Sequence, residues 1–284
     1  MHLQGLIDES ARHLRAAVDD GQAVVPLPGL RLIRQHASSP SRAQLYEPVV
    51  CVVLQGRKDV SIGDRRLSMG PGDCLLVSHD LPVQSRVVHL PYLALVMDVD
   101  IDAIRRLHDE FGGPAADDAG LLGARTHRAD PGLLDALRRH VALAGSPDAR
   151  VLVPLVWREI HYRLLTAPFG ATLRSMVRQG SRASAIARAI RLIREEFRSP
   201  LAVPDVARRV GMSASAFHEH FRSITSTTPL QYLKEIRLLH AQRVLRAGGG
   251  SVTAVALEVG YASPSQFSRD YARKFGVPPS HELP

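Results

Sequence analysis

Hydrophobic positions change their period twice along this chain. Leu3, Leu6, Ile7, Leu14 and Val18 recur at helical spacing, and Asp19-Asp20-Gly21 is expected to stop that first helix. From Val24 to Val99 the apolar runs become short and β-rich, at residues 30–33, 49–54, 60–62, 74–78, 83–89 and 92–99. Turn signals separate them at Gln55-Gly56, Gly63-Asp64, Gly70-Pro71-Gly72-Asp73 and Leu81-Pro82. Closely spaced short strands of this kind predict a sandwich or small barrel.

Beyond Asp102 the helical period returns. Helices are predicted over residues 101–111, 131–144 and 148–165, with an irregular stretch at 112–120. In the third helix Val153, Val156, Trp157, Ile160 and Leu164 share one face, and Pro154 suggests that its regular part starts there. An apolar stripe must be buried against something, either a second copy of the chain or the chain's own β region. The polar stretch Arg178-Gln179-Gly180-Ser181 is the expected boundary between two domains, 1–179 and 180–284. An amphipathic helix over 183–198 follows, broken by Ser199-Pro200.

One pattern then occurs twice. The first copy reads Val206-Ala207-Arg208-Arg209-Val210-Gly211, followed by Phe217 and Phe221; the second reads Val255-Ala256-Leu257-Glu258-Val259-Gly260, followed by Phe267 and Tyr271. In each, a glycine stands where a chain leaving a helix needs positive φ, and a serine (Ser213, Ser263) stands where a hydroxyl caps the next helix. Ala207 and Ala256 are small enough for two helices to approach closely, and the aromatics form a buried stripe. These are two helix-turn-helix units, at 203–224 and 252–275, joined by a helix over 230–247 and the hinge Gly248-Gly249-Gly250. The second turn carries one extra residue, so the units are similar rather than interchangeable.

The outward faces follow from the inward ones. Ser215, His218, Glu219 and Arg222 project from the first unit, and Ser265, Gln266, Arg269 and Arg273 from the second. Arg and Gln suit guanine and adenine edges, and Glu suits cytosine N4. Ser213, Ser263, Thr253 and Lys274 are placed for phosphates, with Arg222 and Arg273 open to either role. The linking helix, about 27 Å long, would set the units on successive major grooves about 34 Å apart.

Charge sharpens this reading. From Gly180 onward there are 15 Lys and Arg against 8 Asp and Glu, while the residues before carry 21 against 20. The excess sits where a phosphate-binding module would need it; a solvated basic face with no partner is the plainer alternative. Two cysteines cannot build a disulfide framework, the acidic start is unlike a signal peptide, and no apolar run is long enough to cross a bilayer. A cytoplasmic protein with no membrane partner is expected.

Residues 183–279 closely resemble the AraC/XylS family of bacterial transcription regulators. The likeness rests on Ala207-x3-Gly211, on Thr228-Pro229-Leu230-x-Tyr232-Leu233 with Arg237-Leu238, and on Gly260-Tyr261-x-Ser263-x-Ser265-x-Phe267-Ser268-Arg269 with Phe275-Gly276-x-x-Pro279. The chain departs from the family pattern at Ser226, where glycine is usual, and at Glu282-Leu283. Tyr46-x-Pro48, Gln55-Gly56-x-Lys58, Gly72-Asp73, Leu81-Pro82-Val83 and Pro91-Tyr92-Leu93-Ala94-Leu95 are similar to the cupin-like effector domain of one branch. The resemblance implies an α+β chain: an N-terminal cupin-like barrel with flanking helices, then an all-α double helix-turn-helix domain. It also implies double-stranded promoter DNA, a small-molecule effector, RNA polymerase and a second copy as partners, and an activator that needs no cofactor.

A cupin-type enzyme with an appended DNA-binding module is the alternative. Metal-binding cupins would place a histidine after Pro82, where Val83 stands; His79 and His89 are isolated, and no metal site is expected. No Ser/His/Asp set or paired carboxylates stand at catalytic spacing. Cys51, Lys58, Cys74 and His79 are the candidate sensor residues. A reactive thiol would need a lowered pKa beside a cation such as Lys58 or Arg57; the plain reading is two small buried residues.

Overall fold

The computed structural model describes residues 2–14, 23–38, 40–112 and 121–283. The expected helix stop at 19–21 and most of the irregular 112–120 stretch lie outside them. Helix α1 (His2–Leu14) leads into strands β1 (Ala23–Leu27), β2 (Leu30–Gln35), β3 (Arg42–Tyr46), β4 (Val49–Ile62), β5 (Arg65–Met69), β6 (Asp73–Val77) and β7 (Leu81–Asp98). After α2 (Ile101–Phe111), strand β8 (Ala124–Arg128) closes one antiparallel sheet in the order β1-β2-β7-β4-β6-β8. β3 pairs with the first half of β7, and β5 with the second half of β4.

β4 and β7 are longer than the sequence runs suggest because each serves two halves of the sheet. They pair from Val49 opposite Asp98 to Ser61 opposite Gln84, with register shifts between Val53 and Lys58. The Gln55-Gly56 turn signal marks that irregularity and does not end a strand. A side chain at Gly56 would put its Cβ 2.5 Å from the His89 carbonyl oxygen and 2.6 Å from that of Pro91, so only glycine fits where the ribbon bends. The sheet therefore folds over itself. Alternate residues of β4 go to opposite sides: Val49, Cys51, Val53, Val60 and Ile62 fill the interior of the fold, while Val50, Val52 and Leu54 join the larger core under the helices.

Helices α3 (Pro131–Ala142), α4 (Ala149–Thr166) and α5 (Ala171–Val177) pack beside the sheet. Val156, Ile160 and Leu164 are buried as their spacing requires. Pro154 lies inside α4, which already begins at Ala149, so the helix does not wait for its proline. Then come α6 (Arg182–Glu196), α7 (Val203–Arg209), α8 (Ala214–Thr225), α9 (Pro229–Arg246), α10 (Val252–Glu258) and α11 (Pro264–Phe275), closed by a 3-10 turn at Pro279–Glu282. The fold class is thus α+β, with an antiparallel β region followed by an all-helical one. Among the described residues no helix is long and apolar enough to cross a membrane.

Candidate nucleic-acid interface

Each unit is built as its sequence dictates. α7 packs on α8 and α10 on α11. Ala207 and Ala256 are buried at these contacts, and Gly211 and Gly260 take φ of 79° and 89°. Ser213 Oγ accepts from the Ala216 N–H, and Ser263 Oγ from the Gln266 N–H, both at 3.3 Å. Phe217, Phe221, Phe267 and Tyr271 are fully buried. Phe221 meets Tyr232 of α9 edge-on at 5.5 Å between ring centroids, which seats the first unit on the linking helix. Lys274 pairs with Glu235 and Lys234 with Asp270 at 3.2 Å, which seats the second. Arg237 donates to the carbonyls of Phe197 (2.7 Å) and Ser199 (3.1 Å), tying α9 to the end of α6.

With that stripe inward, Ser215, His218, Glu219 and Arg222 on α8 are exposed, as are Ser265, Gln266, Arg269 and Arg273 on α11 and Thr253 on α10. His218, Glu219, Ser265, Gln266 and Arg269 lie on open faces. Arg222 and Arg273 instead line one cleft of 540 Å³ between α8, α9, α11 and the sheet. Arg273 faces Asp270 at 3.5 Å, and Arg222 faces Asp64 of the β4–β5 turn at 3.4 Å. Lys274, expected at a phosphate, is mostly buried in its pair with Glu235.

The sheet reaches the first unit through backbone. The Asp64 N–H donates to the Ser226 carbonyl, and the Gly123 N–H donates to the Ile224 carbonyl at 2.7 Å. These are the last carbonyls of α8 and the residue after it, which a helix end leaves without intrahelical partners. Tyr232 Oη donates to the Asp80 carbonyl at 2.7 Å, and Arg194 of α6 pairs with Asp80 and with Glu47. Tyr232 and Ser226 stand out in the sequence, but none of these pairings does: Gly63-Asp64 reads only as a turn, and carbonyl acceptors carry no sequence signal.

Residues 26–172 match the AraC-type transcriptional regulator N-terminus, and residues 206–283 match a helix-turn-helix domain. The chain belongs to the AraC-type family of transcriptional regulators. ExsA of Pseudomonas aeruginosa, an HTH-type transcriptional regulator, is 26% identical over 240 residues, covering 82% of this chain and 85% of that one. The virulence regulon transcriptional activator VirF of Yersinia enterocolitica is 36% identical over 74 residues, 26% of this chain and 27% of that one. Among solved structures, apo ToxT of Vibrio cholerae superposes with a TM-score of 0.58 at 9% identity, over 90% of this chain and 97% of that one. Its unsaturated-fatty-acid-bound form gives 0.57 at 9% identity, over 93% and 96%. At such identity the likeness is one of fold.

In this AraC-type regulator the four candidate sensor residues separate. Cys51 and Lys58 both point into the interior of the folded sheet, whereas Cys74 faces the opposite side, and both cysteines are unpaired. Burial pushes the Cys51 thiol up against the pull of Lys58, and burial pushes Cys74 up as well. The condition for a reactive thiolate is therefore not met by either. His79 lies at the junction with α6, its Nε2 3.2 Å from the Ala183 carbonyl oxygen and its Nδ1 2.9 Å from Ser78 Oγ. Burial lowers its pKa to about 4, so it is neutral there. Among the described residues no group of three or more His, Cys, Asp or Glu is arranged to hold a metal.

Proposed function

We propose that this chain is a sequence-specific transcription regulator that reads DNA with α8 and α11 and responds to a small molecule through its N-terminal domain. The observation that carries the reading is the pair of capped, aromatic-backed helices whose outward faces expose His218, Glu219, Gln266 and Arg269, with no ion pair to any of them among the described residues. Ser213 and Ser263 set the helix N-termini for phosphates, and Ser215, Thr253 and Ser265 flank them. Gln266 and Arg269 are the base readers, suited to adenine and guanine edges. Arg222 and Arg273, drawn into the cleft, act on phosphates. The working unit for DNA is residues 180–284, and residues 1–179 are the effector domain.

Coupling between the two runs through α8. The β4–β5 turn and the 121–124 loop hold its C-terminal end by backbone, so a shift in the sheet moves the first unit relative to the second. ToxT bound to an unsaturated fatty acid supports a ligand-responsive fold of this kind. The likeness to the transcriptional activator VirF favours activation, for which contact with RNA polymerase is the route we propose. A second copy would join along α4, where Val151 and Leu155 are 67% and 61% exposed beside Tyr162 and Phe111.

The test is binding to a site selected from random DNA. Arg269→Ala should cost about 1–3 kcal/mol and relax preference at one position, and affinity should fall steeply with salt. An unchanged footprint, or a flat salt profile, would refute it.

A further inference from the structure

Lys58 belongs to the interior face of β4, two residues before Val60 and four before Ile62, and it is only 8% exposed. An ammonium inside a folded sheet is costly unless an opposite charge meets it. Among the described residues none does. Its one hydrogen bond is to Tyr46 Oη at 2.8 Å, with the Tyr46 ring beneath it, and no carboxylate pairs with it. In the same interior Tyr92 is buried with its hydroxyl against the Cys51 thiol.

Lys58, Tyr46 and Cys51 line a cavity of 410 Å³, a size ordinary for small-molecule sites. Its carboxylates are already engaged: Asp98 by Arg31, and Glu47 by Arg194. Arg42 lines the same space and makes no ion pair among the described residues. The remaining walls include Ile33, Val49 and Val96. The cavity thus offers the Lys58 ammonium, the Tyr46 hydroxyl and the Arg42 guanidinium with no free carboxylate among its lining residues, beside the apolar side chains of Ile33, Val49 and Val96.

We infer that this cavity is a binding site for a small organic monoanion, a carboxylate with a compact apolar body, whose charged end meets Lys58 Nζ and the Tyr46 hydroxyl. The assignment rests on the ligand-responsive reading above and gives that ligand its chemistry. The carboxylate supplies the missing counter-charge, and its oxygens accept from the ammonium and a phenol. Discrimination should be strong, because a neutral isostere leaves the buried charge unmet.

The test is calorimetry on the full chain without DNA. The probes are acetate to octanoate and benzoate, each with its primary amide, and inorganic phosphate. At least one acid should bind about tenfold or more tighter than its amide, and Lys58→Met should abolish that preference. Tyr46→Phe keeps the ring and should weaken the acid severalfold. Lys58→Met should also melt higher than the unliganded parent, because a buried unpaired charge is gone; a lower melting point with binding unchanged overturns the assignment. Equal binding of acids and amides, acid binding undiminished in Lys58→Met, or no acid binding at millimolar concentration also overturns it. Binding of phosphate alone would point to an inorganic anion and overturn the organic ligand. DNA binding is measured on the same preparations, so a chain that binds its DNA but none of the acids refutes this site and leaves the regulator reading standing.

Discussion

The backbone N–H of Asp64 donates to the carbonyl oxygen of Ser226 across 3.2 Å, which joins a β-turn to the end of α8. The approach is close because Gly63 has no side chain. A Cβ there would lie 1.8 Å from that same carbonyl oxygen, and the residue holds φ of 57°. Gly63→Ala should therefore lift the turn off α8 and cost about 1–3 kcal/mol. Hydrogen exchange at Asp64 and Gly123 would report it as lost protection. Unchanged protection at both amides would mean that the contact is not what holds the helix end.

Ser226 is itself in the left-handed region at φ of 58°, the one non-glycine residue among those described to be so. This is the position where the family pattern has glycine. Ser226→Gly removes the steric cost while the carbonyl that receives Asp64 remains, so stability should rise by about 0.5–1 kcal/mol after the added backbone entropy is subtracted. A lower melting temperature would refute the strain.

His79 sets a pH dependence. Burial lowers its pKa from the usual 6.5 to about 4 in the folded chain, so the unfolded chain takes up a proton that the folded one refuses. Stability is whole above about pH 6.5 and declines as the pH falls toward 4, by at most about 3 kcal/mol from this residue. Denaturant titrations at pH 7 and pH 5 should show the loss, and His79→Gln should reduce it. An equal loss in the variant would place the effect elsewhere.

Leu155→Glu puts a charge on the exposed face of α4. If that face joins two copies, sedimentation should shift from dimer to monomer, while the melting temperature of the chain at low concentration stays nearly constant. A monomeric parent would dispose of the proposed interface.

The helical region was legible because its cues are local. A glycine stop, a serine cap and aromatics one turn apart are all satisfied within about 20 residues, and α11 spans Pro264–Phe275 as its sequence pattern indicates. The sheet was legible only in kind. Residues 83–89 and 92–99 read as two strands separated by Pro91, but pairing with β2, β3 and β4 carries β7 through it, with a cis Leu90-Pro91 peptide. β8, with the sequence Ala-Arg-Thr-His-Arg, has no apolar alternation and owes its existence to pairing with β6. The outward faces of α8 and α11 could be read from the inward ones. That Arg222 would face Asp64, or Lys274 Glu235, could not, since those partners are distant in sequence.

The bend at Gly56 lies within β4 and the turn at Gly63-Asp64 follows its end, and their separation makes that half of the strand a lever. Seven residues of β structure span about 23 Å. A rotation of about 5° where the ladder is already irregular sweeps the far end through about 2 Å, more than a hydrogen bond tolerates. Lys58 sits just beyond the pivot. Under the ligand-responsive reading proposed above, a change of that size around its ammonium would be carried along the arm, together with the β5 and β7 segments paired to it, to the carbonyl of Ser226.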